Sequence, residues 1–503
     1  MKIRSRFILM LLLMISCNTF AQEPTLTKKQ MYKDFDQLVK IIEDCNVQLP
    51  IRKAVTGYDN LAEIKKLRTK VDTVSSFESY RGLIAEAVLL LKDPHTEVTE
   101  RFLTGIDKLK KIDTTALNEI KELLNSPEKR AEKIRYYFSI YSPVPAVLIG
   151  EDYYLYGNFL FHNNNKDSLK IHLMKLITYN GQDFQEYVDE NFQGNVWDYE
   201  KKRYVYPYVN LKKDAVFEGE QDGKMYKFNM KDYPFVDIGS YISNISLEGV
   251  PKRKDRESDE YIKYFEKDDI LYIYLYTMLA SDCDSLFLAR IKEIGRGKKI
   301  NKVVIDVRGN SGGSDLTWHN LLTAIVKDSL EYKVKFAFND SKTMRRYYPD
   351  RYRKETIDWL DNQNLRIIDI DTYLIPDTNS LNYDGKIYIL SDEGTYSAGH
   401  SFATYADHLD QLVSVGTKTG HLVGFGLVAP LFQLKNSKLG FRLPCIMDMT
   451  NCSKPIDVYH DIPEIEIHPT FEEDIYLITD HDRISKEYLY KYDPWFRKVL
   501  ELE

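Results

Sequence analysis

Apolar residues recur along this chain with two periods, and the change from one to the other divides it. From Thr25 onward, Met31, Phe35, Leu38 and Ile42 fall at three- and four-residue spacing, which predicts a helix with one core-facing stripe. A second helix is predicted from a capping box of Ser75 with Glu78; it carries Phe77, Tyr80, Ile84, Val88 and Leu91 and stops at Lys92, Asp93 and Pro94. His95 follows at once, on a tight loop ahead of an alternating stretch. Residues 103–140 read as a charged helical connector, broken at Ser126 and Pro127, where proline can restart a helix. After Pro143 and Pro145 the period falls to two. Short strands are predicted over 146–149, 153–156 and 171–179, the last ending in the tight-turn pair Asn180-Gly181. A helix follows in QDFQEYVDENF, and strand-like pieces at 204–209 and 225–230 complete a β-rich module before a charged loop at 252–260.

From Asp268 the pattern is α/β. A strand over 270–276 and an amphipathic helix over 285–294 precede a continuous apolar run at 303–307, of the kind buried on both faces of a sheet. That run exits through Arg308-Gly309-Asn310-Ser311-Gly312-Gly313 into a helix bearing Leu316, Leu322, Ile325 and Val326. Glycines at such a turn let backbone N–H groups approach a ligand closely. The turn has neither the lysine nor the spacing of a nucleotide loop, so it reads as an acyl-oxygen cradle, with a plain tight turn as the alternative. A second buried strand at 387–390 runs through a polar turn with Gly394 into a helix opened by Ser397, Ala398 and Gly399. Unpaired N–H groups and the helix dipole favour negative charge there, although a serine in that place reads first as an N-cap. A strand at 411–416 with the glycine-rich tail GTKTGHLVGFG, a hairpin-like pair at 431–434 and 440–443, the segment DVYHDIPEIEI and a polar helical tail close the chain.

Composition narrows the function classes. A chain of 503 residues is too long for one ordinary core and predicts two or three domains. A hydrophobic share of 43% and a charged share of 29% describe a globular protein rather than a disordered or membrane-embedded one. With a net charge of −7 and only short Lys/Arg runs, nothing favours nucleic acid. The 37 tyrosines are scattered through predicted strands, which makes them half-buried strand positions before sugar platforms. Lys2, Arg4 and Arg6 precede an apolar run at 7–15, too short to span a membrane, and Thr19 and Ala21 supply small residues for cleavage. This reads as an export signal cut after Ala21, placing the mature protein in the periplasm, at the envelope or outside the cell. The alternative is cleavage before Cys17 with a lipid anchor on it. Of five cysteines, only Cys445 and Cys452 are close enough in sequence to suggest a bridge. No zinc spacing or HExxH is present, so the expected chemistry uses no metal and no cofactor.

The pieces occur in a telling order: a loop histidine, a β-rich module, RGNSGG, then TYSAGH. In that order the chain resembles the C-terminal processing (tail-specific) serine peptidases, in particular the branch with the tricorn protease core. VVIDVRGNSGG is similar to the family's D-x-R-x-N-x-G-G motif, EGTYSAGHSFA to its nucleophile motif, LLKDPHTEV to the D-x-H-T loop, and YHDIPEIEI to its G-x-x-P-D-I-x-V ending. The resemblance implies a multidomain α/β protein whose catalytic domain, over 265–480, is crotonase/ClpP-like. Before it would come an N-terminal helical domain over 25–102 ending in the His95 loop, the connector at 103–140 and a degenerate PDZ-like module over 141–250; a helical tail at 481–503 would follow. It implies a serine peptidase acting on polypeptides, with Ser397 as nucleophile, His95 as base and Asp457 orienting the imidazole. The oxyanion would be bound by the Ala398 N–H and one from Gly312 or Gly313. Departures are visible. His400 stands where the family has a glutamate, Asp457 is shorter by one methylene than the branch's glutamate, and Leu173-Met174 replace the Gly-Asp of a PDZ heart. No lysine falls in register with the lysine of the Ser–Lys branch, which leaves Lys418 and His400 as alternative bases. The competing expectation is an inactive relative that binds peptides or proteins.

Overall fold

The computed structural model describes residues 25–502 apart from 94, 100–143, 163–167, 192–196, 199–202, 205–207, 210–213, 234, 240–257, 280–284, 347–352, 356, 358–363, 420–429, 460–462, 471 and 474–481. The expected export signal, Cys17, the connector at 103–140, Cys283 and His421 lie outside the described residues.

Helix α1 (Lys28–Cys45) starts at Thr27, which exchanges hydrogen bonds with Gln30 in a capping box, and it buries Met31, Phe35, Leu38 and Ile42 on the predicted stripe. Two short helices, α2 (Leu49–Thr56) and α3 (Asn60–Lys66), lead to α4 (Phe77–Leu89). Helix α4 begins one residue later than the sequence suggests. Ser76 caps it and Ser79 closes the box, because a serine hydroxyl at the third helical position returns the bond as well as the expected Glu78 carboxylate. A three-residue strand, β1 (Glu97–Thr99), follows the His95 loop.

The middle module is a sheet of β2 (Val144–Ile149), β3 (Asp152–His162), β4 (Ser168–Tyr179), β5 (Val216–Gln221) and β6 (Lys224–Asn229) in the order β6-β5-β4-β3-β2. Helix α5 (Phe184–Asn191) follows β4, and β7 (Phe235–Gly239) pairs the far end of β3. Its core is separate, built on Phe159, Phe161, Phe184, Phe217 and Phe228. Asn180 and Gly181 both take positive φ, +53° and +82°, as a two-residue turn demands. Leu173 also sits at φ +47°, beside a register shift between Leu155 and Asn158, so the bulge is kept although its residue has a Cβ.

The rest of the chain forms β8 (Ile262–Phe265), β9 (Ile270–Tyr274), α6 (Ser285–Gly295), β10 (Lys302–Asp306), α7 (Asp315–Ile325), β11 (Leu330–Asn339), β12 (Leu365–Leu374), β13 (Ile387–Ser391), α8 (Ala398–Tyr405) and β14 (Leu412–Gly416). After these come β15 (Leu431–Gln433), β16 (Gly440–Arg442), β17 (Ile446–Asp448), β18 (Ile465–Glu466), α9 (Lys486–Lys491) and α10 (Pro494–Glu501). The central sheet runs β8-β9-β10-β13-β14-β18, parallel except for β8. Both faces are buried, which is why its strands read as unbroken apolar runs. Leu271, Ile273, Val303, Ile305, Ile387 and Ile389 point to one face and share a single core with α1, α4, α7 and α8. Tyr272, Val304, Tyr388, Leu390, Val413 and Val415 point to the other, where Trp495, Phe496 and Val499 of α10 cover them. The expected polar tail is therefore a structural layer; burying each such side chain is worth about 1.5–3 kcal/mol. In α7 the core face is Trp318, Leu321, Leu322 and Ile325, while Leu316 of the expected stripe is exposed.

The suggested Cys445–Cys452 bridge is absent. The thiol of Cys445 donates to Leu443 O (3.1 Å) and that of Cys452 to Asp448 O (3.6 Å). No helix among the described residues is long and apolar enough to cross a membrane.

Candidate active site

Strands β10 and β13 are parallel neighbours in register, Asp306 beside Leu390, so their C-terminal ends open on the same edge of the sheet, where ligands of α/β proteins gather. Two hydrogen bonds lock the turns that leave them: Thr395 Oγ1 donates to Val307 O (3.0 Å) and Tyr396 N–H to Asn310 O (2.8 Å). At the end of the second turn Ser397 takes φ +54° and ψ −123°, a backbone conformation that a residue with a Cβ rarely adopts. The strain has a consequence for the hydroxyl. Ser397 occupies the N-cap position of α8 but makes no capping hydrogen bond with its side chain; its Oγ lies instead 3.3 Å from His95 Nε2. The plain N-cap reading is thereby set aside.

His95 reaches this point because the N-terminal helices are sewn to the β15–β16 hairpin, which forms a small three-stranded sheet with β1. The buried Asp34 carboxylate of α1 accepts hydrogen bonds from Asn436 N–H (2.9 Å) and Ser437 N–H (2.6 Å), in the turn that joins β15 to β16. Strand β16 in turn pairs antiparallel with β1, directly after the histidine loop. Within the loop, Lys92 adopts φ +55°, and Asp93 folds back to accept the His95 N–H on Oδ1 (2.8 Å) and the Thr96 N–H on its carbonyl (2.9 Å). The ammonium of Lys92 sits over the rings of Tyr58 (5.2 Å) and Tyr204 of the middle module (5.8 Å). Burial pushes Lys92 down to about 7 and Asp93 up to about 7, the latter opposed by the Arg52 charge. The His95 ring packs against Tyr396 at 4.7 Å. Burial, with the Arg442 and His400 charges, pushes its imidazole down to about 4, which leaves it neutral and proton-accepting at neutral pH.

The glycine turn divides its two residues between two tasks. Gly312, at φ +92°, makes room: a Cβ there would lie 2.4 Å from Ser397 Cβ and 2.9 Å from Ala398 N. Its N–H is donated to Asn310 Oδ1 (2.8 Å). Gly313 keeps its own N–H out of that bond. Met278 bonds Gly312 O through its N–H (3.0 Å) and Ser314 N–H through its carbonyl (2.9 Å), so in this parallel bridge the N–H of Gly313 faces away from Met278. Neither this N–H nor that of Ala398, the first residue of α8, makes a hydrogen bond among the described residues. Ala398 adjoins Ser397 and Gly313 adjoins Gly312, so both open N–H groups belong to the two turns that meet at Ser397.

The structure does not bring the other expected site residues to the histidine. Asp457 lies in a 3-10 turn (Pro455–Tyr459), where its Oδ2 accepts from Ser453 N–H (2.8 Å), Ser453 Oγ (2.8 Å) and Lys454 N–H (2.9 Å). Its short side chain is captured by its own turn, and no hydrogen bond among the described residues joins it to His95. His400 is turned toward Thr419 Oγ1, 2.6 Å from Nδ1, and Thr404 Oγ1 at 3.3 Å, rather than toward Ser397. Lys418 stands just after β14 and makes no hydrogen bond to Ser397 among the described residues. Two residues that the sequence reading passed over position the site: Asp93 on the base side and Asn310 on the acyl-oxygen side. Both stand inside the quoted motifs LLKDPHTEV and RGNSGG, which is the signal that marks them.

Residues 269–467 match the model of peptidase family S41. Among solved structures, mature CPAF in complex with lactacystin is 14% identical and superposes with a TM-score of 0.53 over 95% of this chain and 98% of that one; mature CPAF alone gives the same values. At that identity the likeness is one of fold. The photosystem II D1 C-terminal processing protease is 14% identical over 88% of this chain and 94% of its own, with a TM-score of 0.37. No curated protein sequence matches the chain.

Proposed function

The chain belongs, through residues 269–467, to peptidase family S41 and is a serine-type peptidase, and from that premise we propose that it is an exported endopeptidase in which Ser397 is the nucleophile and His95 its base. The observation that carries this reading is the approach of His95 Nε2 to Ser397 Oγ at 3.3 Å, between residues 302 positions apart. Such pairs are often long before substrate arrives and tighten around it.

A polypeptide carbonyl enters above Ser397 with its oxygen toward the Ala398 and Gly313 N–H groups. Ser397 Oγ attacks the carbonyl carbon as its proton passes to His95 Nε2, and the two N–H groups hold the oxyanion that forms. Collapse of this intermediate breaks the C–N bond, the imidazolium returns the proton to the leaving amine, and an acyl-enzyme ester remains on Ser397. Water then attacks the ester carbonyl as His95 takes its proton, and collapse breaks the C–Oγ bond, with His95 returning that proton to Ser397 Oγ as the acid leaves. Asp457 has no part in these steps. Orientation of the base comes from the Asp93 carboxylate on the His95 N–H and from the Tyr396 ring. The middle module, residues 141–250, is read as a degenerate PDZ-like domain; its bulge at Leu173 and its Asn180-Gly181 turn support that reading, and such a module holds an extended peptide near the site.

The test is hydrolysis of an unfolded polypeptide by the purified chain beside Ser397→Ala and His95→Ala. Loss of about a thousandfold or more in kcat/KM is expected for each. A His95→Ala variant as active as the parent would assign the base elsewhere. For export, intact mass of the mature chain is expected to begin at Gln22; a mass beginning at a lipidated Cys17 supports the anchor, and an uncleaved N-terminus contradicts both.

A further inference from the structure

The family match ends at residue 467, yet the last helix of the chain, α10, is fastened to β10 at both ends. At one end Asp493 caps α10 through Oδ1, which accepts the Phe496 N–H (2.9 Å), while its Oδ2 lies 2.6 Å from Arg308 Nη2. Arg308 is the residue from which the glycine turn departs. Its guanidinium also makes a two-pronged pair with Asp306, Nε to Oδ1 at 2.9 Å and Nη2 to Oδ2 at 2.6 Å, and its own backbone N–H donates to the same carboxylate (3.0 Å). All three charged side chains are at most 3% exposed. Trp495 adds a second grip: the Arg308 guanidinium lies 5.2 Å from its ring, and its Nε1 donates to Ser391 O (2.8 Å) at the end of β13. At the other end Lys302, the first residue of β10, donates to the last carbonyls of α10, Val499 O at 2.8 Å among them.

One helix thus holds the exits of both strands that lead to the reacting groups, β10 toward Gly313 and β13 toward Ser397. We propose that α10 is a positioning strap for the oxyanion pocket, in which Asp493 and Trp495 fix Arg308 and Ser391 so that the Gly313 and Ala398 N–H groups converge. The inference rests on the assignment of Ser397, Ala398 and Gly313 given above. The physical reason is that such donors act only when held within about half an ångström of their productive place by a supporting shell. A buried guanidinium gripped by two carboxylates, one of which also accepts the Arg308 backbone N–H, supplies that shell. Asp493 and Trp495 act through the turns and touch no substrate.

The strap is tested by comparing its two ends in the full chain: Asp493→Asn and Trp495→Phe at the pocket end, Lys302→Met at the far end. Three quantities are read for each, namely kcat with KM on a peptide substrate, thermal midpoint, and hydrogen exchange of the peptide covering residues 308–314. For Asp493→Asn, kcat is expected to fall about tenfold or more with KM within about twofold; for Trp495→Phe, about threefold. Lys302→Met is expected to lower the thermal midpoint while leaving kcat within about twofold. Exchange at 308–314 is expected to quicken in the first two variants and not in the third. The proposal is overturned if kcat follows the thermal midpoint in all three, or if exchange at 308–314 is unchanged at the pocket end. Should Asp493→Asn fail to fold, Trp495→Phe against Lys302→Met decides. Should the parent hydrolyse no peptide, the peptidase assignment falls while the exchange comparison still judges the strap.

Discussion

The two halves of the candidate site are built on different foundations. The acyl-oxygen half stands at the ends of adjacent buried strands, β10 and β13, and is held by a buried charge triad and hydrogen bonds between its two turns. The base half is the loop that carries Lys92, Asp93 and His95, held by one carboxylate oxygen, three aromatic rings and a three-residue strand. The first half belongs to the sheet; the second is delivered to it from outside the family region. The difference teaches where the molecule has room to move. A displacement on the sheet side meets backbone and packed side chains, whereas one on the loop side meets a few hydrogen bonds.

The comparison is broken most severely on the rigid side. Gly312→Ala places a Cβ 2.4 Å from Ser397 Cβ and 2.8 Å from Tyr396 O, at a φ that disfavours it. The turn cannot yield, so kcat/KM is expected to fall by about a hundredfold or more, measured by peptide hydrolysis on folded protein. If the activity survives, the two turns are not in contact as described.

A smaller effect is expected from pH. With burial holding His95 down to about 4, the neutral base persists into mild acid and is lost only as pH falls through that value. The acid limb of kcat/KM is therefore expected near pH 4. At pH 5 most activity remains, whereas an ordinary histidine near 6.5 would cost about thirtyfold there. A limb at 6.5 means that His95 is solvated or that another group is the base.

On the loop side, Asp93→Ala removes the acceptor for the His95 N–H, and a loss of about tenfold in kcat/KM is expected. Asp93→Asn keeps an acceptor oxygen and is expected to stay within about threefold. Equal losses in the two would show that the charge of Asp93, rather than its hydrogen bond, positions the base. The smallest effect is assigned to Asp457→Asn. It disturbs only the turn at Ser453 and Lys454, and kcat/KM is expected to change by less than about twofold. A large drop would return Asp457 to the catalytic group.

Much of this was legible in residue pattern alone, and the parts that were not share a cause. The strands at 303–307 and 387–390, the glycine turn and the serine at a helix start follow from runs and turn residues that are local in sequence. Local signals also marked His95 as a loop residue after a helix stop. What periodicity does not carry is which local pieces meet. Asp457 stood at the right place in a motif, yet its carboxylate found N–H groups three and four residues away before any distant histidine. Helix α10 is only eight residues long, too short for its apolar face to show as a period, and nothing in the residue pattern singles out Asp493. Its ion pair with Arg308 exists only because the helix covers the sheet. Similarly, the sequence points to Ser75 as the cap of α4, and the folded helix uses Ser76 instead.

The claim on which the rest depends is that Ser397 is a nucleophile activated by His95. Reaction of the purified chain with a fluorophosphonate, followed by mass mapping of the modified peptide, tests it most directly. The expected result is one adduct on Ser397 in the parent, none in Ser397→Ala, and labelling slowed by about a hundredfold or more in His95→Ala. An adduct on another serine, or undiminished labelling of Ser397 without His95, would contradict the account.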